Sequence, residues 1–219
     1  MSENKVKAPR ALYLVVASIL ILSMLAQWLF LKYGDINNGK YGDDGISATV
    51  LHEASPITSF RLLDHHGNVF TQDNLAGKWS LLSFGYTHCP DICPTTLNVL
   101  DQANKILHEA NATVLPQTLF LTLDPERDDA NTLSEFVPWF NKEFIGLTGS
   151  IEQIHALTKN LGILIQKRED ESGEGNYLID HTVSIMVIDN KGQLRALSSA
   201  PHNPQTIAND FIKITEKFN

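Results

Sequence analysis

Cysteine is scarce in this chain, with two in 219 residues. That excludes a disulfide-dense scaffold and a four-cysteine zinc module, both of which need more thiols. Basic clusters are missing, and 17 Lys and Arg stand against 25 Asp and Glu for a net charge of −8. A chain of that balance offers no electrostatic footprint for nucleic acid. Glycine (13) and proline (9) fall far short of collagenous or low-complexity levels. With 43% hydrophobic and 19% charged residues, the chain is too apolar to be disordered and too charged to be a polytopic membrane protein.

Charge is also absent locally. Residues 11–31, from Ala11 to Leu31, carry none. As a helix this stretch rises roughly 32 Å, about the thickness of the bilayer hydrocarbon. Trp28 and Tyr33 lie where interfacial aromatics belong. A cleaved signal peptide has a shorter apolar region, roughly 7–15 residues, and Met24-Leu25-Ala26 makes a poor cleavage site. No cysteine follows the run, so a lipoprotein anchor does not fit. The sequence therefore predicts one retained transmembrane anchor over residues 11–32. Lys5, Lys7 and Arg10 precede it, so residues 1–10 are expected in the cytoplasm and the remainder outside. Four basic residues but only one acid precede residue 33, which leaves 13 against 24 and a net charge of −11 for the exported part. The anchor has no Arg- and Ser-rich presequence before it, which favours a bacterial cytoplasmic membrane with a periplasmic domain over the mitochondrial inner membrane.

Residues 33–55, which include Gly34, Gly39, Gly42 and Gly45, read as a linker, and residues 56–219 as one domain. A short hairpin is expected at Phe60–Phe70 around the Asp64–Asn68 turn. Ser80–Tyr86 reads as a buried strand, Pro94–Ala110 as a helix and Gln117–Leu123 as a second strand. Thr132–Glu135 and Ser150–Gln153 fit capping boxes that open helices, and Pro138 should kink or shorten the first of these. Ile163–Gln166 reads as a strand, Arg168–Asn176 as a polar loop, and Thr182–Ile188 as a strong strand. Asn190-Lys191-Gly192 turns that strand into a partner at Gln193–Ser198. Asn203-Pro204 caps a last helix running to about Lys217. The pattern is a β-α-β core followed by a hairpin and a closing helix, with helices on both faces of a mixed sheet.

Both cysteines fall in Thr87-His88-Cys89-Pro90-Asp91-Ile92-Cys93-Pro94, between a strand and a helix. The spacing is CxxxC, not the CxxC of ordinary redox motifs. Helical geometry sets Cα atoms four residues apart at about 6.2 Å, within disulfide range. The same spacing lets two sulfurs converge on one metal ion, and a helix N-terminus favours the thiolates that either chemistry requires. A purely structural bridge closing so short a loop would remove little unfolded-state entropy. Two sulfurs seldom complete a metal site. His181, in Ile179-Asp180-His181-Thr182 before the strong strand, can face the cysteine loop from there, although a plain loop role is also open. His88 adjoins Cys89. His108 and His155 read as solvated helix residues, and His65, His66 and His202 as turn residues.

Phe84-Gly-Tyr-Thr-His-Cys-Pro-Asp-Ile-Cys-Pro-Thr-Thr-Leu97, Asp124-Pro-Glu-Arg-Asp128 and the Asp180-His181 pair closely resemble the signature of the Sco/SenC proteins. The likeness extends over residues 56–217 and includes the single anchor. It implies a thioredoxin-like α/β fold and a role in maturing the CuA centre of cytochrome c oxidase. It also implies binding of Cu(I) or Cu(II) through two motif cysteines and a histidine, which match Cys89, Cys93 and His181. The implied partners are the CuA-bearing oxidase subunit, other copper chaperones and thiol reductants. Two thiolates and an imidazole suit a soft copper ion. His181-Thr182 stands where thioredoxins carry a proline. Asp124 either borders the site or is a turn residue before Pro125, and Asp128 reads as a carboxylate near a helix start. The alternative function is a thiol–disulfide oxidoreductase with Cys89 and Cys93 as its catalytic pair. A redox or copper sensor is a third reading, for which the sequence holds no signalling module.

Overall fold

The computed structural model describes residues 18–25, 27–28, 45–169 and 177–218. The chain divides into two units, Met1–Tyr41 and Gly42–Asn219. In the first, residues 18–25 and 27–28 are helical, with Ile19, Leu20, Ile21, Leu22, Met24, Leu25 and Trp28 exposed. The rest of the expected 11–32 anchor lies outside the described residues, among which no helix is long and apolar enough to cross a membrane.

The second unit is built on an eight-stranded mixed sheet. Its strands are β1 (Thr49–Pro56), β2 (Arg61–Asp64), β3 (Val69–Thr71), β4 (Ser80–Gly85), β5 (Gln117–Thr122), β6 (Ile145–Thr148), β9 (Ser184–Ile188) and β10 (Gln193–Ser199), in the order β1-β10-β9-β4-β5-β6-β2-β3. The three central strands β4, β5 and β6 run parallel, with Leu82 opposite Leu119 and Leu121 opposite Leu147. The hairpin β9–β10 joins antiparallel through β9 on β4. β7 (Ile165–Glu169) and β8 (Tyr177–His181) form a separate two-stranded ribbon.

Every residue of β4 is buried, which explains why apolar side chains stand at consecutive positions, Leu81 and Leu82, instead of alternating with exposed polar ones. Its side chains still alternate between two cores. Leu81 joins Leu97, Phe120 and Phe211 on one face of the sheet. Leu82 and Phe84 join Leu121, Leu147, Ile154 and Leu157 on the other.

Four helices among the described residues cover the sheet: α1 (Ile92–Glu109), α2 (Ala130–Phe140), α3 (Ile151–Asn160) and α4 (Pro204–Phe218). Helices α1, α2 and α4 bury Leu100, Val137 and Ile214 in the first core, and α3 buries Ile154 and Leu157 in the second. Helix α1 presents Cys93, Leu97, Leu100, Ala103 and Leu107 to the interior, the three-and-four spacing of one helical face.

Several local expectations shift. Residues 49–55, read as linker, form most of β1 at the sheet edge, where partial burial leaves no apolar run to signal a strand. Helix α2 starts before Thr132, because the Asp129 side chain caps it by accepting from the Thr132 N–H at 2.8 Å. Pro138 lies in its last turn, and the helix stops at Phe140. His65 lies in the turn after β2, as read, but is buried there, and its Nδ1 accepts from the Gly146 N–H at 3.0 Å. The Ser150 cap and the Asn203 cap form as the sequence predicts.

The start of the domain is held by α4. Buried Asp210 accepts from the Ser47 N–H at 3.1 Å and the Ala48 N–H at 2.8 Å. Asp210→Ala leaves both donors without this partner, and is expected to lower the unfolding free energy by about 1–3 kcal/mol. Urea unfolding followed by circular dichroism measures this, and an unchanged midpoint would refute it.

Candidate metal centre

The cysteine loop leaves the C-terminal end of β4, and the Asp124–Asp128 segment leaves the same end of the adjacent parallel strand β5. Open α/β sheets place ligand sites at this edge. Cys89 sits in a turn, its N–H donating to the Tyr86 carbonyl at 3.2 Å, and Cys93 occupies the first turn of α1. The pair is therefore not on one helical face, as simple spacing suggests, but spans the loop-to-helix junction. Both are free thiols, Cys89 half-buried and Cys93 buried. A Cβ at Gly85 would lie 2.7 Å from Cys93 Sγ, so glycine is what lets the sulfur lie against β4.

The two thiols differ electrostatically. The Cys93 thiol donates to the Cys89 sulfur, which lowers Cys89 to about 5. Burial opposes this, and the Asp91 and Cys93 N–H groups and the charge of His181 add to it. Cys93 is pushed up, first by its hydrogen bond to Cys89 and then by burial. In the metal-free protein, Cys89 is the thiolate and Cys93 the thiol.

His181 ends β8 rather than opening the following strand. Its Nδ1 lies 3.0 Å from the Thr182 carbonyl oxygen. Only a protonated Nδ1 can bond there, so in the neutral ring the Nε2 lone pair is free, and Nε2 lies 3.9 Å from Cys93 Sγ. Bonds of about 2.3 Å to sulfur and about 2.0 Å to imidazole nitrogen, the values for zinc, span about 3.7 Å at a trigonal angle. The observed gap is close to that size. Among the described residues, no three His, Cys, Asp or Glu side chains are gathered tightly enough to form a ready-made ion site. His88 is exposed, with its Nδ1 3.1 Å from Thr87 Oγ1.

The two aspartates of the 124–128 segment are both buried. Asp128 lies near the start of α2, just before its cap Asp129, and accepts from the Thr87 N–H at 2.9 Å, Thr87 Oγ1 at 2.5 Å and Thr122 Oγ1 at 2.6 Å, so it fixes the cysteine loop. Asp124 pairs with Arg127 Nε and accepts from the Tyr177 hydroxyl at 2.7 Å. Burial, and then that bond to Asp124, raise the Tyr177 phenol. The Tyr86 hydroxyl accepts from the Ile179 N–H at 3.2 Å. Tyr86 belongs to the cysteine motif, but nothing local in the sequence marks Tyr177, which borders a polar loop.

Alkylation of Cys89 in the reduced, metal-free protein is expected to titrate with a midpoint near pH 5. The rate is at its plateau above that pH and falls about tenfold per pH unit below it. Cys93→Ala should move the midpoint toward the ordinary thiol range. A wild-type midpoint already in that range would overturn the assignment.

The chain matches the SCO1/SenC family model over residues 50–216. It is 38% identical over 154 residues to an SCO2-like protein of Rickettsia felis, covering 70% of this chain and 74% of that one. The mitochondrial SCO2 homologue of Danio rerio is 37% identical over 133 residues, 61% of this chain but only 47% of its own length. Among solved structures, Arabidopsis thaliana ScoI with copper bound superposes with a TM-score of 0.70 at 32% identity, covering 74% of this chain and 99% of that one. Yeast Sco1 with copper bound gives 0.69 at 29% identity, covering 75% and 91%. The fold is the thioredoxin-like α/β fold of these proteins, and the chain belongs to the SCO1/SenC family.

Proposed function

We propose that this protein is a membrane-anchored copper metallochaperone that loads the CuA-bearing subunit of cytochrome c oxidase. Cys89, Cys93 and His181 hold one copper ion as cargo. The observation that carries this reading is the Cys93–His181 approach at 3.9 Å, with Nδ1 occupied by Thr182. Two sulfurs and an imidazole form a soft donor set suited to copper, and three ligands leave a position open for an incoming ligand. Copper-bound relatives and family membership support the cargo, and the description of the Sco family as cytochrome c oxidase assembly proteins supports the partner. Residues 11–32 anchor the chain, residues 1–10 face the cytoplasm, and residues 33 onward lie in the bacterial periplasm.

The thiol asymmetry favours a second activity, reduction of a client disulfide. The Cys89 thiolate attacks one client sulfur, forming a mixed disulfide and releasing a client thiolate. Cys93 then loses its proton and attacks Cys89 Sγ, forming the Cys89–Cys93 disulfide and leaving the client dithiol reduced. Oxidation of the pair removes two copper ligands, so the two activities exclude each other at any instant.

Chelator-competition titration of the reduced protein with Cu(I) is expected to give one ion per chain. Cys89→Ala, Cys93→Ala and His181→Ala should each weaken binding by more than the roughly 10–100-fold typical of an outer-shell change. Unchanged stoichiometry and affinity in all three would defeat the three-ligand reading. His181→Ala should retain disulfide reduction, whereas either cysteine change should abolish it.

A further inference from the structure

The ribbon β7–β8 carries His181 but shares no ladder with the main sheet. An isolated two-stranded ribbon is marginal in water. His181 is tied at one end by the short connection to β9, and the far end of β8, at Tyr177, is held by side-chain bonds to the rest of the domain. We infer that Asp124, Arg127 and Tyr177 form a clamp that positions His181 against Cys93 and so sets copper affinity, an inference that rests on the three-ligand reading.

The geometry is specific to these side chains. Arg127 donates through Nε to Asp124 and from Nη2 to the Tyr177 carbonyl at 3.2 Å. Its guanidinium lies 3.7 Å from the Tyr177 ring centroid. The Tyr177 hydroxyl donates back to Asp124 at 2.7 Å, closing a ring of contacts between the end of β5 and the start of β8. Tyr86, which precedes the cysteine turn, adds a second tether by accepting from the Ile179 N–H at 3.2 Å. By contrast, the Lys167–Glu126 pair at 3.1 Å is exposed on both sides and contributes little. Asp124 and Asp128 thus hold different halves of the site. Asp128 holds the cysteine loop, and Asp124, through Arg127 and Tyr177, holds the histidine ribbon. Asp124, Arg127 and Tyr177 are positioning residues, since none of the described contacts links them to Cys89, Cys93 or the His181 ring. A lysine cannot replace Arg127, because one ammonium reproduces neither the donation from two separate nitrogens nor the planar group over the Tyr177 ring.

Tyr177→Phe and Arg127→Lys test the clamp. In the reduced, metal-free protein, amide hydrogen exchange at Leu178–His181 should accelerate about tenfold in both, with β4 and β5 unchanged. Cu(I) affinity should fall about tenfold. In a His181→Ala background the same changes should alter affinity less than about twofold, because the clamp acts through that side chain. Unchanged exchange in the ribbon, equal affinity losses with and without His181, or a global loss of protection in both variants would each overturn the clamp. If His181→Ala alone leaves affinity unchanged, the three-ligand reading fails instead, and the metal-free exchange measurement still judges the clamp.

Discussion

The buried carboxylate of Asp128 holds the cysteine loop in place, and the rest of the site is built around it. It takes hydrogen bonds from the Thr87 backbone, the Thr87 hydroxyl and the Thr122 hydroxyl, and it is fully shielded from solvent. A buried carboxylate is costly unless its lone pairs are used. Here they bind the segment just before Cys89 to the end of β5, so the cost of burial is offset by a fixed loop. Gly85 completes the arrangement by letting Cys93 lie against β4.

With the loop fixed, the chemistry follows from unequal environments. Cys89 is half-buried and surrounded by donors, while Cys93 is buried and acts as one of those donors. A single hydrogen bond therefore both lowers one thiol and raises the other. The accessible sulfur is thus the ionised one, which suits exchange with a partner whether the exchanged species is a metal ion or a disulfide.

Much of the fold is legible in the chain. The buried run Ser80–Tyr86, the apolar face of α1, the hairpin at Asn190–Gly192 and the caps at Ser150 and Asn203 all rest on local periodicity or local hydrogen bonding. β1 is harder to read because it is only partly buried, and α2 begins ahead of its apparent capping box because Asp129 takes the cap from Thr132. His65 is a turn residue, as read, but its burial is not legible because nothing nearby in sequence reveals that Gly146 donates to it.

The reactive groups of this protein are already present as local spacing: two cysteines in a CxxxC pattern at a strand-to-helix junction, and a histidine before a strong strand. Their meeting is a matter of packing. His181 reaches Cys93 across 88 positions, with its Nδ1 engaged and Nε2 turned to the sulfur, and Tyr177, Arg127 and Asp124 stand behind it. Such contacts depend on how distant segments come together. A ribbon without a ladder to the main sheet takes its place from its connection to β9 and from side-chain contacts that no local pattern encodes.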